Sequence, residues 1–162
     1  MKNFLTIFLL MVLFTSCTKQ DKTENVTTRV INELPHLKFT SLDGTIKSTR
    51  DLPTPLILVL FNADCDHCQR QAQEVGKHLN EVSNITLQFI AADDLPAIQK
   101  FATEYGLNNQ PNLNFGRADA TDVYMNFGSI PTPAIYLYSA DKRLLKNFKG
   151  ETPVAELVAP FR

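Results

Sequence analysis

Two cysteines separated by two residues, Cys65 and Cys68, are the residues of this chain whose type and spacing best suit chemistry. They follow the apolar residues 57–61 and precede a helix-forming segment, so the sequence predicts a strand, a turn and a helix. Both sulfurs then lie on one side of the helix, where they can form a disulfide or separate. Free N–H groups and the positive end of the helix dipole favour a thiolate at Cys65. We therefore expect Cys65 to be the nucleophile and Cys68 the resolving thiol.

The two residues between the cysteines act on that thiolate in opposite directions. An imidazolium at His67 would stabilise the Cys65 thiolate and make the disulfide a better oxidant. The Asp66 carboxylate would destabilise the same thiolate. We therefore expect an intermediate reduction potential. The alternative for His67 is an exposed side chain with little electrostatic effect.

The first residues have the pattern of an export signal. Lys2 precedes an apolar stretch over residues 4–14, which is too short to span a bilayer comfortably. The stretch ends in small residues before Cys17, and this arrangement resembles the lipobox of bacterial lipoproteins. We expect residues 1–16 to be a lipoprotein-type signal peptide and Cys17 to become the lipidated N-terminus. The alternative is a leader cleaved nearby, with Cys17 left as a free thiol.

The segment after the lipobox is polar and lacks core-forming residues. We expect residues 17–33 to carry the lipid and form a flexible tether from membrane to domain. If Cys17 is lipidated, the exported domain holds only Cys65 and Cys68, an even pair in a compartment where disulfides persist. A disulfide across so short a loop would stabilise the fold little. We therefore interpret the pair as redox-active rather than architectural.

Composition and charge exclude several classes of function. The hydrophobic share of 44% and the charged share of 20% are typical of a single globular domain. A net charge of −1, with scattered basic residues, predicts no nucleic-acid binding. A structural zinc site needs four ligands, and His36 and His78 are isolated in sequence, so we predict no metal site and no cofactor. Transient copper binding by the reduced thiols remains open.

The remaining elements follow from periodicity and turn signals. Asp43-Gly44 predicts a hairpin at the start of the domain, and Pro53 and Pro55 mark a loop before a buried strand. The predicted elements after the cysteines are a helix with Ala72, Val75, Leu79 and Val82 on one face, a strand over 85–90, a helix capped by Asp93 or Asp94 and ended by Gly106, a weak strand over 113–115, a short helix over 119–127, two strands over 134–138 and 144–148, and a helix from about Thr152 to Phe161.

Two motifs in this order resemble the thioredoxin-like redoxins of the bacterial cell envelope, and most closely the membrane-attached TlpA/ResA type of thiol-disulfide oxidoreductase. The first motif is Cys65-Asp66-His67-Cys68 on a strand-to-helix turn. The second is residues 128–133, Gly-Ser-Ile-Pro-Thr-Pro, which lead into a strand. The resemblance covers residues 34–162. It implies an α/β thioredoxin-like fold with a central mixed β-sheet flanked by helices and an N-terminal β-hairpin extension.

The resemblance also implies two site residues beyond the cysteines. In that family the proline corresponding to Pro133 is cis and lies against the cysteine pair. The Thr132–Pro133 bond is then expected to be cis, with the Thr132 backbone pairing with a bound substrate strand. The alternative is a trans proline that ends a loop.

The chain departs from the family pattern in two places. It has no tryptophan, and Asp64 replaces the aromatic residue that usually precedes the first cysteine. Residues 56–61 contain no carboxylate, where many relatives carry one that assists proton transfer to the second cysteine. Glu74, Asp64 or water could substitute.

A peroxidase is disfavoured by a comparison of motifs. Peroxiredoxins carry a proline and a hydroxyl residue at fixed places before the reactive cysteine, and Leu58 and Asn62 occupy those places here. Both positions of the motif therefore fail.

Together these observations predict a lipid-anchored, periplasm-facing thiol-disulfide oxidoreductase. It would be monomeric, exchange disulfides with protein substrates and have a membrane redox partner. Asp21 does not directly follow Cys17, so the acidic inner-membrane retention signal is absent and we favour the outer membrane. The alternative is a non-catalytic thioredoxin-fold lipoprotein that binds a protein or copper.

Overall fold

Within residues 33–162, the part of the chain that the computed structural model describes, seven strands form one mixed β-sheet. The predicted signal peptide, Cys17 and most of the predicted tether lie outside these residues. The strands are β1 (Lys38–Ser41), β2 (Ile46–Ser48), β3 (Leu56–Leu60), β4 (Thr86–Ala91), β5 (Leu113–Arg117), β6 (Ala134–Tyr138) and β7 (Leu144–Lys149). Their order is β2-β1-β5-β4-β3-β6-β7, and the pairs β3–β4 and β4–β5 are parallel.

Helices pack around this sheet. They are α1 (Asp66–Lys77), α2 (Leu95–Glu104), α3 (Ala120–Phe127) and α4 (Val154–Val158), with 3-10 turns at Thr49–Asp51 and Ala159–Phe161. The β1–β2 hairpin stands at the start of the domain, where Asp43-Gly44 predicted a turn. The predicted fold class is therefore confirmed. None of the described helices is both long and apolar enough to cross a bilayer.

Strand β3 lies at the centre and leads directly to the cysteines. All its residues are buried, as the continuous apolar run predicted. Ile57 and Val59 face the core layer under α1, whereas Leu58 and Leu60 face the layer that contains Phe127. Since successive side chains of a strand point to opposite faces, this one strand anchors both layers.

The structure ends α1 earlier than the helical spacing predicted. Lys77 is its last residue, and the chain then turns before β4. Val82 is still fully buried in the core under α1. The Asn112 side chain donates to the carbonyls of Val82 and Ile85, at 2.9 and 2.8 Å, and so holds the turn between α1 and β4. The apolar spacing therefore predicted the packing correctly and the helix end wrongly.

The cap of α2 agrees with the sequence. Asp94 caps α2 through Ala97, and Gly106 follows its end with a positive φ of 67°. Asp119 caps α3 through the backbone N–H groups of Thr121 and Asp122. The Asp119 cap sets where α3 begins, and α3 forms one wall of a groove beside Thr132.

Candidate active site

Cys65 lies at the N-cap of α1, immediately after the turn that follows β3. Its sulfur accepts a hydrogen bond from the Cys68 N–H at 3.4 Å, so the cysteine itself caps the helix. Cys65 is partly exposed, whereas Cys68 is only 2% exposed. The predicted strand, turn and helix are confirmed, and they leave the first sulfur accessible and the second one covered.

The Thr132–Pro133 bond is cis, as the resemblance implied. It lies beside Cys65: Cys65 Sγ is 3.6 Å from the Thr132 carbonyl oxygen and 3.7 Å from Thr132 Oγ1. The thiol donates to the carbonyl, and the Thr132 hydroxyl donates to the sulfur. Thr54–Pro55 is also cis, at a place where the sequence indicated only a loop.

The two thiols have opposite proton affinities. Partial burial acts to raise the pKa of Cys65, but hydrogen bonds from Cys68, the Thr132 hydroxyl and the His67 backbone outweigh it, so the Cys65 pKa is lowered. Deeper burial, together with a hydrogen bond to Cys65, raises the pKa of Cys68 to about 12. Cys65 is therefore the sulfur that ionises first.

A cluster of charges covers the other side of the cysteine turn. Glu151 accepts from Arg70 Nε at 3.0 and 3.1 Å and from Arg70 Nη2 at 2.7 Å. Nδ1 of His67 lies 2.5 Å from Glu151 Oε1. Hydrogen bonds from Arg70 and then from His67 lower the pKa of Glu151 to about 2. His67 is exposed, and its side chain is held by Glu151; Asp66 is exposed in the first turn of α1.

Gln71 ties α1 to the segment that carries Glu151. Its buried side-chain amide donates to the Thr152 carbonyl at 3.0 Å and accepts from the Thr152 N–H at 2.7 Å. Sequence reasoning missed Glu151, Arg70 and Gln71. Glu151 is 84 residues from His67 along the chain, and no local pattern marks such a pair.

The candidates for proton transfer occupy different places. The Glu74 carboxylate accepts from the Val154 N–H at 3.3 Å and lies 3.6 Å from His78 Nε2. Asp64 is exposed at the surface before Cys65. Asp93, which the sequence suggested only as a possible helix cap, accepts from the Ala63 N–H at 3.3 Å and holds the turn before the cysteines.

An apolar groove of about 320 Å³ opens beside Thr132. Its walls come from the ends of β3 and β4, from α3 and from the loop before Pro133. None of the described residues that line it is charged. Its lining includes the side chains of Leu60, Ile90, Ala120, Val123, Tyr124 and Ile130. Tyr124 stands at its rim with 60% of its surface exposed.

The sequence leaves open transient copper binding by the reduced thiols of Cys65 and Cys68. Across residues 33–162, no group of three or more His, Cys, Asp and Glu side chains is placed to hold a metal ion. His36 is exposed, and His78 pairs with Glu74 and Glu81.

Comparison with known proteins rests on solved structures, because no protein-family model and no curated protein matches the sequence. DsbF of Mycobacterium tuberculosis, in mixed oxidised and reduced forms, is 23% identical with a TM-score of 0.66 and covers 77% of this chain and 92% of its own. A secreted disulfide oxidoreductase of the same organism, homologous to E. coli DsbE, is 21% identical with a TM-score of 0.61, over 73% of this chain and 86% of its own. Arabidopsis thaliana ScoI with copper bound is 13% identical with a TM-score of 0.61, over 76% and 91%.

At these identities the likeness establishes the fold. The chain has the thioredoxin-like fold, and its structural neighbours include a secreted disulfide oxidoreductase. The resemblance that the two motifs indicated is confirmed at this level.

Proposed function

We propose that this protein is a thiol-disulfide oxidoreductase that exchanges the Cys65–Cys68 dithiol or disulfide with protein substrates. One observation carries the proposal. An accessible thiol with a lowered pKa lies at a helix N-cap beside the cis Thr132–Pro133 bond, while its partner is buried with a raised pKa. These are the properties required of an attacking sulfur and a resolving sulfur.

The reaction proceeds in two exchanges. The Cys65 thiolate attacks a substrate disulfide, so a Cys65–substrate bond forms and the second substrate sulfur leaves as a thiolate. Cys68 then attacks Cys65, and its proton passes to the departing substrate sulfur. The first substrate thiolate takes a proton from water, equivalent to the one that Cys65 lost on ionising. The protein ends as the Cys65–Cys68 disulfide and the substrate as a dithiol, with two electrons transferred. Run in reverse, the same steps donate a disulfide.

The surface around Thr132 suits a protein substrate. The Thr132 backbone would pair with the substrate chain beside Cys65, as the sequence resemblance implied. The apolar groove starts at Thr132 and would take an apolar side chain next to the substrate cysteine. Proteins that expose such side chains, as in unfolded chains, are therefore the substrates we expect.

An extracytoplasmic site is part of the proposal. The similar M. tuberculosis protein is secreted, and the first residues of this chain have the pattern of an export signal. Lipidation at Cys17, a flexible tether, an outer-membrane location, a membrane redox partner and a monomeric state are supported by sequence alone.

Copper binding is the second candidate. ScoI, a protein of the same fold, was solved with copper bound, and two thiolates suit Cu(I). Its test is a titration of the reduced protein with Cu(I), in which tight stoichiometric binding without disulfide exchange would favour this alternative.

The oxidoreductase proposal is tested with two serine variants and insulin reduction in the presence of dithiothreitol. We expect Cys65→Ser to abolish turnover, because the attacking sulfur is lost. Cys68→Ser should accumulate mixed disulfides, because no thiol resolves them. Unchanged insulin reduction by the Cys65→Ser protein would defeat the assignment.

The direction of the reaction is read from the reduction potential. Equilibration with glutathione gives it directly. A reduction potential of about −270 mV would indicate a reductant, and one of about −120 mV would indicate an oxidant.

A further inference from the structure

The segment over residues 150–153, between β7 and α4, contacts both halves of the candidate site. The Gly150 N–H donates to the Pro133 carbonyl at 2.8 Å. Two residues later, Thr152 exchanges two hydrogen bonds with the buried Gln71 amide. Because α1 carries the cysteines and Pro133 belongs to the cis bond, this segment holds the two parts in a defined relation.

Glu151 stands between these anchors and faces the exposed side of α1. It binds Arg70 through both carboxylate oxygens and lies 2.5 Å from His67 Nδ1. His67 and Arg70 are three residues apart, so they occupy the same face of the helix. Arg70 Nη2 also lies 2.9 Å from His67 Nδ1, which completes a three-membered cluster.

We propose that Glu151 is a positioning residue that sets the reduction potential of the Cys65–Cys68 pair. It holds the Arg70 and His67 side chains and compensates positive charge that would otherwise act on the Cys65 thiolate. The inference rests on the proposed function, because it needs a reversible dithiol pair.

The cluster lies on the first turns of α1, close to the sulfur: Cys65 is the N-cap of this helix, and His67, which contacts Glu151, stands between the two cysteines. A hydrogen bond to Glu151 is the main cause of a raised Arg70 pKa, and the negative charges of Asp66 and of Cys65 contribute to the same shift. Arg70 and an ionised Cys65 therefore attract each other. Since its pKa is lowered to about 2, Glu151 is ionised at neutral pH, where the test is made.

These contacts determine whether the loss of a charge in the cluster makes the Cys65–Cys68 pair more oxidising or more reducing. When the Glu151 charge is removed, the Arg70 charge acts on Cys65 without compensation. The thiolate becomes more stable, and the reduced protein is favoured over the disulfide. The pair then becomes more oxidising. Removing the Arg70 charge has the opposite effect, because Glu151 then repels the thiolate.

The test measures equilibrium with glutathione at neutral pH and low salt. We expect Glu151→Gln to shift the equilibrium constant about threefold toward the reduced protein, which is about 14 mV for a two-electron couple. Arg70→Gln should shift it in the opposite direction, and the double variant should return close to wild type. In about 1 M salt the shifts should shrink, because exposed charges are screened over about 3 Å.

The matched control is Glu156→Gln, which removes the same charge from an exposed position on α4. It should leave the potential unchanged. A purely structural role for the cluster, without charge compensation, would move the potential of Glu151→Gln and Arg70→Gln in the same direction, and that shift would not respond to salt. If Glu151→Gln fails to fold, the direction in which Arg70→Gln shifts the equilibrium with glutathione tests the proposal. A shift toward the reduced protein would overturn it.

The outcomes separate this inference from the proposed function. A wild-type protein that equilibrates with glutathione, with a Glu151→Gln protein that matches wild type, would overturn only the role of Glu151. A wild-type protein that does not equilibrate would contradict the proposed function, and this inference with it.

Discussion

The two flanks of Cys65 differ in chemistry. On one flank, Thr132 and the groove beyond it present backbone, a hydroxyl and apolar side chains, and no residue in the described part of the chain that lines the groove is charged. On the other flank, His67, Arg70 and Glu151 form a charged cluster at the surface. An uncharged flank can select a substrate chain by shape and apolar contact, whereas a charged flank acts on the thiolate through space. Substrate choice and reduction potential are therefore expected to be separable by mutation.

The largest expected effect concerns the sulfur between the two flanks. The rate at which iodoacetamide alkylates the reduced protein should rise about tenfold per pH unit while Cys65 is mostly protonated, because only the thiolate reacts. It should level off below the usual pH for a thiol, since the Cys65 pKa is lowered. Cys68, with a pKa of about 12, should contribute nothing in this range.

Mass spectrometry of the alkylated peptide assigns the reacting sulfur. The Cys65→Ser protein, as control, should show no such ionisation near neutral pH. If the alkylation rate reached half its maximum only at a pH of about 8.5 or above, where a free cysteine ionises, the assignment of Cys65 as the ionised thiol would be contradicted.

The next effect concerns the anchor of the charged flank. Gln71→Leu leaves the buried N–H and C=O of Thr152 without partners, so it should lower the free energy of unfolding by about 2 kcal/mol. Urea denaturation of the reduced protein measures this loss.

Gln73→Leu is the matched control for Gln71→Leu. It makes the same change at an exposed position of the same helix and should stay close to wild type. If Gln71→Leu and Gln73→Leu had the same free energy of unfolding, the hydrogen bonds between Gln71 and Thr152 would not contribute to stability.

The third effect concerns the uncharged flank. Tyr124→Asp places a charge at the rim of the groove and should lower kcat/KM for an unfolded protein disulfide about tenfold, because an apolar side chain then meets a solvated carboxylate. The rate with a small disulfide such as hydroxyethyl disulfide, and the reduction potential, should not change.

Met125→Asp controls for surface charge on α3. Met125 is 69% exposed and does not line the groove. The same loss in both variants would mean that the groove does not select the substrate.

The smallest effect concerns the one polar side chain of the uncharged flank that contacts the sulfur. Thr132→Val keeps the backbone carbonyl and removes the hydroxyl that donates to Cys65. The Cys65 pKa should rise, because this hydrogen bond helps to lower it. At neutral pH the attack rate should fall about threefold.

Thiolate absorbance during a pH titration measures that change, with Ser129→Ala on the same loop as control. If the Cys65 pKa were the same in Thr132→Val as in wild type, the Thr132 hydroxyl would not stabilise the thiolate.

Sequence reasoning went furthest where the controlling interactions are local. The strand before Cys65, the N-cap position of Cys65, the hairpin at Asp43-Gly44 and the cap of α2 follow from neighbouring residues. The cis bond before Pro133 came from the resemblance of the motif and is present in the structure. The export and lipidation predictions for residues 1–33 remain predictions. The end of α1 was misplaced, and the turn that follows α1 is held by Asn112, a residue distant in the chain.

The sequence by itself predicted which two sulfurs react and which of them attacks, since both predictions follow from the position of the cysteines at the start of a helix and from their spacing. Only the tertiary structure decided what surrounds them. Glu151 meets His67 and Arg70, Gln71 meets Thr152, and the groove gathers four separate stretches of chain. Charge compensation and shape depend on distances in space, and neither leaves a periodic or local trace in the sequence.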